Sequence, residues 1–374
     1  MKRIALTATA VAAAAALALT GCSGGGERGG SAGEGSESAG FAADSTIGIA
    51  LPDKTSENWV LAGGLFEEGL TEAGFDPDIQ YAPASNTVAE QQNQISAMVT
   101  NGAKVIVIGA KDGKQLGTQL QQAADAGVKI IAYDRLLENT ENVDYYVAFD
   151  NFKVGQLQGE ALLEGLAARS GHDAPWNIEL FSGSPDDANS AVFFDGAMEV
   201  LQPKIDDGTL VVGSGQTEIA QTATEGWLAE NAQSRMDSLL TSTYGSQEID
   251  GVLSPNDTLA RAILTSAQQA GKDVTKITVT GQDSEVESVK SIMEGIQYST
   301  INKDTALLVE QTIKMIQQLQ AGEEADVNDT EQYDNGVKVV PAYLLDPVIV
   351  TKENAAEAYA NNPSLLEIVE ASGK

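Results

Sequence analysis

The run Lys129–Arg135, KIIAYDR, decides how the chain folds. Its apolar residues follow one another without polar alternation, with Gly127 behind and an acidic and a basic residue in front, the pattern of a strand buried on both faces. Asp134 and Arg135 stand where that strand ends. In open parallel sheets, ligands bind in the crevice outside the carboxyl ends of the strands. A carboxylate that accepts, beside a guanidinium that donates, can grip neighbouring hydroxyls of one small polyol. The same pair also suits a plainer role, with the Asp capping the next helix and the Arg paired to it. These residues alone leave both readings open.

Working outward, buried-strand runs alternate with amphipathic helical stretches. TIGIALP (46–52), DIQYA (78–82) and KVIVIGA (104–110) read as strands, and the stretches 59–74, 87–101 and about 114–126 as helices, an order that predicts a parallel sheet with helices on both faces. The pattern restarts at YYVAFDN (145–151), followed by a long helix to about Arg169. WNIELFSG, a helix from Asp187 to Leu201, TLVVGSG, a helix opening near Trp227, IDGVLSPND (249–257), KITVTGQD (276–283) and IQYSTINK (296–303) come next. The fold class is α/β with two doubly wound, Rossmann-like lobes. Tyr133-Asp134, Asn256-Asp257 and Gln282-Asp283 each close an apolar run and open a helix. Each Asp suits an N-cap, worth about 1 kcal/mol. If the lobes face one another, these carboxylates converge on one cleft.

The N-terminus reads as an export signal. Lys2 and Arg3 precede an apolar run that ends in Leu19-Thr20-Gly21-Cys22. The last four resemble the lipobox of bacterial lipoproteins, which makes residues 1–21 the signal peptide and Cys22 the lipidated first residue of the mature chain. Residues 22–44 are rich in Gly, Ser, Glu and Ala, the composition of a flexible tether. Beyond it lie about 330 residues, more than one hydrophobic core usually serves, so two lobes are expected. With 54 acidic against 22 basic residues, the net charge of −32 repels phosphate backbones and argues against a nucleic-acid partner. Contact with a bilayer is expected through Cys22 only, and the protein is expected to be a monomer.

Enzymatic machinery is sparse. His172, the single histidine, stands in the polar loop SGHDAPW and reads as a solvated surface residue. The pattern G-x-S-x-G occurs only in the Gly/Ser-rich run, at 21–25 and 29–33, where no apolar strand run leads directly into a helix, and no H-E-x-x-H or G-x-x-x-x-G-K-[ST] motif occurs. DVNDTEQYD (326–334) lacks the glycine and the bidentate glutamate of a calcium loop and reads as an Asx-rich turn, so no metal and no cofactor is assigned. Trp59 and Trp227 each stand near a helix start. Indole faces pack on the C–H faces of sugar rings, and the same placement also suits aromatics stapled to the core.

Taken together, IAYDR (131–135), FDN (149–151), GSPDDAN (183–189), GWLAENA (226–232), SPND (254–257), GQD (281–283) and NGVKVVP (335–341) give a strong likeness. From about Thr46 to Lys352 the chain resembles the periplasmic sugar-binding proteins of bacterial ABC importers, particularly the xylose-binding and multiple-sugar-binding receptors. The resemblance implies a type I periplasmic binding protein fold, with lobes joined by a three-crossing hinge and closing on one monosaccharide. Crossings are implied near Asp150, Ile301 and Val340. Residues 45–150 with 303–339 then form one lobe, and 151–302 with 340–374 the other. Matching the family's ligand residues gives Lys54, Trp59, Asp134 and Arg135 on the first lobe, Asn189, Trp227, Asn256 and Asp283 on the second, and Lys303 at the hinge. Asn58 stands where these receptors commonly carry an arginine, which leaves the choice among xylose, glucose, galactose and arabinose open. The implied partners are the sugar and the membrane permease of an ABC importer.

Two other roles compete. A sugar receptor that signals to a membrane sensor or chemoreceptor presents the same closed lobes to a different partner. An exported glycoside hydrolase is the enzyme alternative, since its acids leave no reliable spacing in sequence.

Overall fold

The computed structural model describes residues 40–54, 56–83 and 88–372. Cys22, the export signal and most of the expected tether lie outside the described residues. In chain order the first lobe begins with β1 (Thr46–Leu51), α1 (Glu57–Glu72), β2 (Asp76–Tyr81), α2 (Val88–Thr100), β3 (Val105–Ile108), α3 (Gly117–Asp125), β4 (Lys129–Tyr133) and β5 (Tyr145–Phe149). There follow α4 (Asn151–Arg169), β6 (Trp176–Leu180), α5 (Ala188–Asp206), β7 (Leu210–Val212), α6 (Ile219–Thr222), α7 (Ala229–Ser242), β8 (Gly251–Leu253), α8 (Asp257–Gln269), β9 (Thr278–Val279) and α9 (Val286–Met293). The chain closes with β10 (Ser299–Asn302), α10 (Thr305–Gln320), β11 (Ala342–Leu345), β12 (Val348–Thr351), α11 (Ala355–Ala358) and α12 (Pro363–Ser372).

Two parallel sheets result. The first has the order β11-β5-β4-β3-β1-β2 and the second β7-β6-β8-β9, while β10 and β12 form a separate antiparallel pair. The strand Lys129–Tyr133 is buried on both faces, as its apolar run predicts. Ile130 and Ala132 join the core on one side of the sheet with Ile106, Ile108 and Leu120, and Ile131 and Tyr133 join the other with Phe66, Val107 and Ile316. Side chains alternate across a strand, so a run with no polar residue requires helices on both faces.

Three expectations change. Ala342–Leu345 pairs in parallel with Tyr146–Phe149 as the edge of the first sheet, so the passage expected near Val340 lies beyond Leu345. That pairing satisfies the free edge of β5. Phe41 is docked rather than part of a tether. Its ring centroid lies 6.3 Å from that of Phe75, and its N–H donates to the Gln320 carbonyl at 3.1 Å. The helix expected to end at Leu201 runs through Pro203 to Asp206. Asp329 Oδ1 accepts the N–H groups of Glu331 and Gln332, the Asx turn expected of 326–334.

Helices α4 and α5 cross at paired glycines. A Cβ at Gly155 would fall on the Phe193 carbonyl oxygen, and one at Gly196 on the Phe152 carbonyl oxygen. Backbone meets backbone there, and the N-terminal end of α5 is fixed as a result. Gly155→Ala is expected to destabilise the protein by about 1–3 kcal/mol through overpacking. Thermal melting checks this: a melting temperature equal to that of the parent would mean that the helices do not depend on this crossing.

Candidate ligand-binding site

A cleft of about 460 Å³ lies between the lobes, and its walls come from the carboxyl ends of the strands of both sheets. The first lobe contributes Asp53, Ser56, Asn58 and Trp59 after β1, Lys111 after β3, and Asp134 and Arg135 after β4. The second contributes Asp186, Asp187 and Asn189 after β6, Asn256 after β8, and Gln282 and Asp283 after β9, with Trp227 from a 3-10 turn ahead of α7. Lys303 enters at the passage from β10 to α10.

The floor is an ion cluster shared by both lobes. Lys303 Nζ lies 3.4 Å from Asp283 Oδ1 and 3.8 Å from Asp134 Oδ2, with the lysine side chain only 9% exposed. Burial pulls the Lys303 ammonium down, but the two carboxylates outweigh it and hold it above the usual lysine range. Burial pushes the Asp283 carboxyl up, against the pull of Lys303. Both aspartates have left-handed backbones, Asp134 at φ 60° and Asp283 at φ 96°. Such a φ is uncommon outside glycine, and tertiary contacts must hold it. At Asp134 those contacts are visible. Its carbonyl accepts from Tyr146 Oη at 2.7 Å and from Asn189 Nδ2 at 2.9 Å, and Asn189 Oδ1 in turn accepts from Asn151 Nδ2 at 3.1 Å.

A second cross-lobe cluster forms one wall. Arg135 Nε lies 3.1 Å from Asp187 Oδ2, and Trp227 Nε1 donates to that same oxygen at 3.2 Å. Burial raises the Asp187 carboxyl despite the Arg135 guanidinium. Arg135 also lies over the Trp59 ring, 5.5 Å from its centroid. Glycine seats both indoles, since a Cβ at Gly109 would crowd Trp59 and one at Gly183 would fall on Trp227.

The description "Periplasmic binding protein domain" belongs to a family model that matches residues 47–324, most of both lobes. The chain belongs to this family. Among curated proteins it is 50% identical to the multiple sugar-binding periplasmic receptor ChvE of Rhizobium radiobacter over 318 residues, covering 84% of this chain and 89% of that one. It is 32% identical to the D-xylose-binding periplasmic protein of Escherichia coli strain K12, covering 82% and 87%. Among solved structures, an ABC transporter solute binding protein from Clostridium phytofermentans with bound beta-D-glucose superposes with TM-score 0.80 at 40% identity, covering 86% of this chain and 99% of that one. A carbohydrate transporter solute binding protein from Chloroflexus aurantiacus in complex with D-glucose gives TM-score 0.76 at 33% identity, covering 84% and 95%. The fold is that of a periplasmic binding protein, and its members bind rather than transform their solutes.

In this periplasmic binding protein the cleft gathers Asn58, Trp59, Asp134, Arg135, Asn189, Trp227, Asn256, Asp283 and Lys303. Lys54 does not line it. Its ammonium lies over the Tyr81 ring, 4.4 Å from the centroid, while the Lys111–Asp53 pair, at 3.0 Å, lines the cleft instead. Nor does Asp257 converge on the cleft with Asp134 and Asp283. It is fully buried, its Oδ1 accepting from Gln297 and its Oδ2 from Thr300 Oγ1, and burial holds its carboxyl well above the usual range. Asn256 caps α8, with Oδ1 accepting the Leu259 N–H at 2.9 Å, so its amide is the end left for the cleft. Asn58 Nδ2 donates across the cleft to the Asp283 carbonyl at 3.3 Å. Asp187 and Lys111 are the notable lining residues that the sequence reading leaves out. GSPDDAN marked the neighbourhood of Asp187, but nothing in its spacing separates it from Asp186.

Lys303→Met removes the cation from between two carboxylates. Breaking a buried pair from one side costs about 3 kcal/mol or more. Because burial already raises the Asp283 carboxyl, protonation relieves the cost as pH falls through that raised value. Melting temperatures at pH 7 and pH 5 are expected to show a deficit against the parent that shrinks on acidification. A deficit that is equal at both pH values would assign the loss to packing.

Proposed function

We propose that the protein is an extracytoplasmic receptor that closes on one aldose monosaccharide, xylose, glucose, galactose or arabinose, and delivers it to an ABC importer. The observation that carries this reading is a single cleft in which both lobes supply an indole and both supply hydrogen-bonding groups. An uncharged polyol uses all of these. Its C–H faces pack on Trp59 and Trp227, and its hydroxyls donate to Asp134 and Asp283 and accept from Arg135, Lys303 and the amides of Asn189 and Asn256. Lys54 has no place in this set. Among the described residues the cleft is lined by six carboxylates (Asp53, Asp134, Asp186, Asp187, Glu230 and Asp283) against three cations (Lys111, Arg135 and Lys303), each cation paired with a carboxylate, which favours a neutral ligand over an anionic one. The relatives named for multiple sugars and xylose, and the two similar structures holding glucose, support the same class of ligand.

Micromolar binding needs about 8 kcal/mol net. A few charge-assisted hydrogen bonds at roughly 1.5–3 kcal/mol each supply that after ordering costs. Neither lobe alone can satisfy the hydroxyls, so binding closes the hinge. Calorimetry across the four aldoses should give one-to-one binding, small-angle scattering a smaller radius of gyration on binding, and Asp134→Ala a loss of binding with the fold retained. Asn58→Arg should reorder the four sugars rather than scale them together. No binding to any of the four, or an unchanged radius, would sink the clamp.

The anchor is read from LTGC ending at Cys22, the only cysteine in the chain. Cys22→Ala should release the mature protein from the membrane into the soluble extracellular fraction. Unchanged membrane retention would show that lipid on Cys22 is not what holds it.

A further inference from the structure

The turn that carries Asp283 is built from two consecutive residues of left-handed backbone, Asp283 at φ 96° and Ser284 at φ 52°. Neither is glycine, so contacts from elsewhere must hold the turn. Strand β10 supplies two of them, since the Ile301 carbonyl accepts the Asp283 N–H at 2.9 Å and Thr300 Oγ1 accepts the Ser284 N–H at 3.2 Å. Another comes from the far end of the chain, where Tyr359 Oη donates to Ser284 Oγ at 2.8 Å. Tyr359 follows α11 and is fully buried, in one cluster with Val289 and Met293 of α9 and Val350 of β12. Burial pushes its phenol up, so the hydroxyl stays protonated and able to donate. The Ser284 hydroxyl in turn points its own proton at the Ile301 carbonyl, at 3.5 Å.

We infer that Tyr359 is a positioning residue for the cleft: from the C-terminal tail, its hydroxyl clamps the left-handed turn that aims the Asp283 carboxylate at Lys303 and the ligand. The inference rests on the receptor reading above and extends it to a residue that does not itself line the cleft. Such a turn relaxes by returning to negative φ, and that rotation carries the carboxylate away from Lys303, which it meets at 3.4 Å. The same tail also holds the strand on which the turn leans, because β12 pairs with β10, Val350 against Thr300 and Ile349 against Ile301. Tyr359, Ser284 and β10 stand on one side of the cleft, so the clamp does not depend on whether the lobes are open or shut.

Tyr359→Phe keeps the buried ring and removes only the hydroxyl. Calorimetry with D-glucose is expected to show an affinity about 3-fold to 10-fold weaker, the effect of one neutral hydrogen bond. Ser284→Ala, which takes away the acceptor, should weaken binding by the same factor, and the double variant should weaken it no further. Glycine adopts a left-handed backbone without penalty, so Ser284→Gly added to Tyr359→Phe should bind more tightly than Ser284→Ala added to it. In the ligand-free protein, amide hydrogen exchange at positions 283 and 284 should quicken about 3-fold or more in Tyr359→Phe, while the amides of α9 and α12 exchange as in the parent. A tyrosine that served only the core would loosen those helices equally and would gain nothing from glycine. An affinity within twofold of the parent, losses that multiply in the double variant, or exchange at 283 and 284 that matches the parent or rises together with α9 and α12 would overturn the inference. Should Tyr359→Phe fail to fold, Ser284→Ala is read in the same way, with parent-like exchange at position 283 as the overturning result. A parent protein that binds no aldose would sink the sugar reading, and exchange in the ligand-free protein then decides the clamp by itself.

Discussion

A lysine ammonium buried at the hinge has to be neutralised, and here the neutralising charge comes from both lobes. Lys303 lies between Asp283 of one lobe and Asp134 of the other. A buried cation with one carboxylate is poorly compensated, and two buried carboxylates without the cation repel each other. The three groups are therefore stable together and costly apart, and one buried cation ties the rims of both lobes together at the floor of the cleft.

The rest of the site serves to hold the aspartates where the lysine needs them. Each stands in a left-handed backbone conformation at a strand end, which turns the chain sharply out of the sheet. Tyr146 and Asn189 both donate to the Asp134 carbonyl, one from the adjacent strand and the other from the opposite lobe. Asn189 thus links the lobes through backbone while its neighbour Asp187 links them through charge. Beneath both, α4 and α5 meet at glycines, so the helix that carries these residues sits close against the hinge.

The parallel sheets bring the site about geometrically. Every strand of a parallel sheet ends on the same edge, so loops far apart in sequence share one rim. Two such rims facing each other give a cleft with one wall from each lobe.

The sequence by itself determined the two parallel sheets, because runs such as KIIAY and YYVAF have no polar face and so require helices on both sides. It also determined which loops reach the cleft, since Asp134, Asn256 and Asp283 each follow directly on an apolar run. Tertiary structure decided what each side chain does there. Asp257 has the same local pattern as Asp134 and Asp283, but it turns into the lobe toward Gln297 and Thr300, distant residues that no local spacing reveals. Lys54 was displaced by the Lys111–Asp53 pair because the loop after β1 turns its ammonium onto Tyr81. The edge strand Ala342–Leu345 joined the first sheet because β5 offered an unpaired edge, a fact set by strand order and not by the residues of β11. Asp187 meets Arg135 of the opposite lobe at 3.1 Å, a contact that no local spacing reveals. A sequence pattern records burial and local turns, whereas partners brought together by closure are fixed only once the lobes meet.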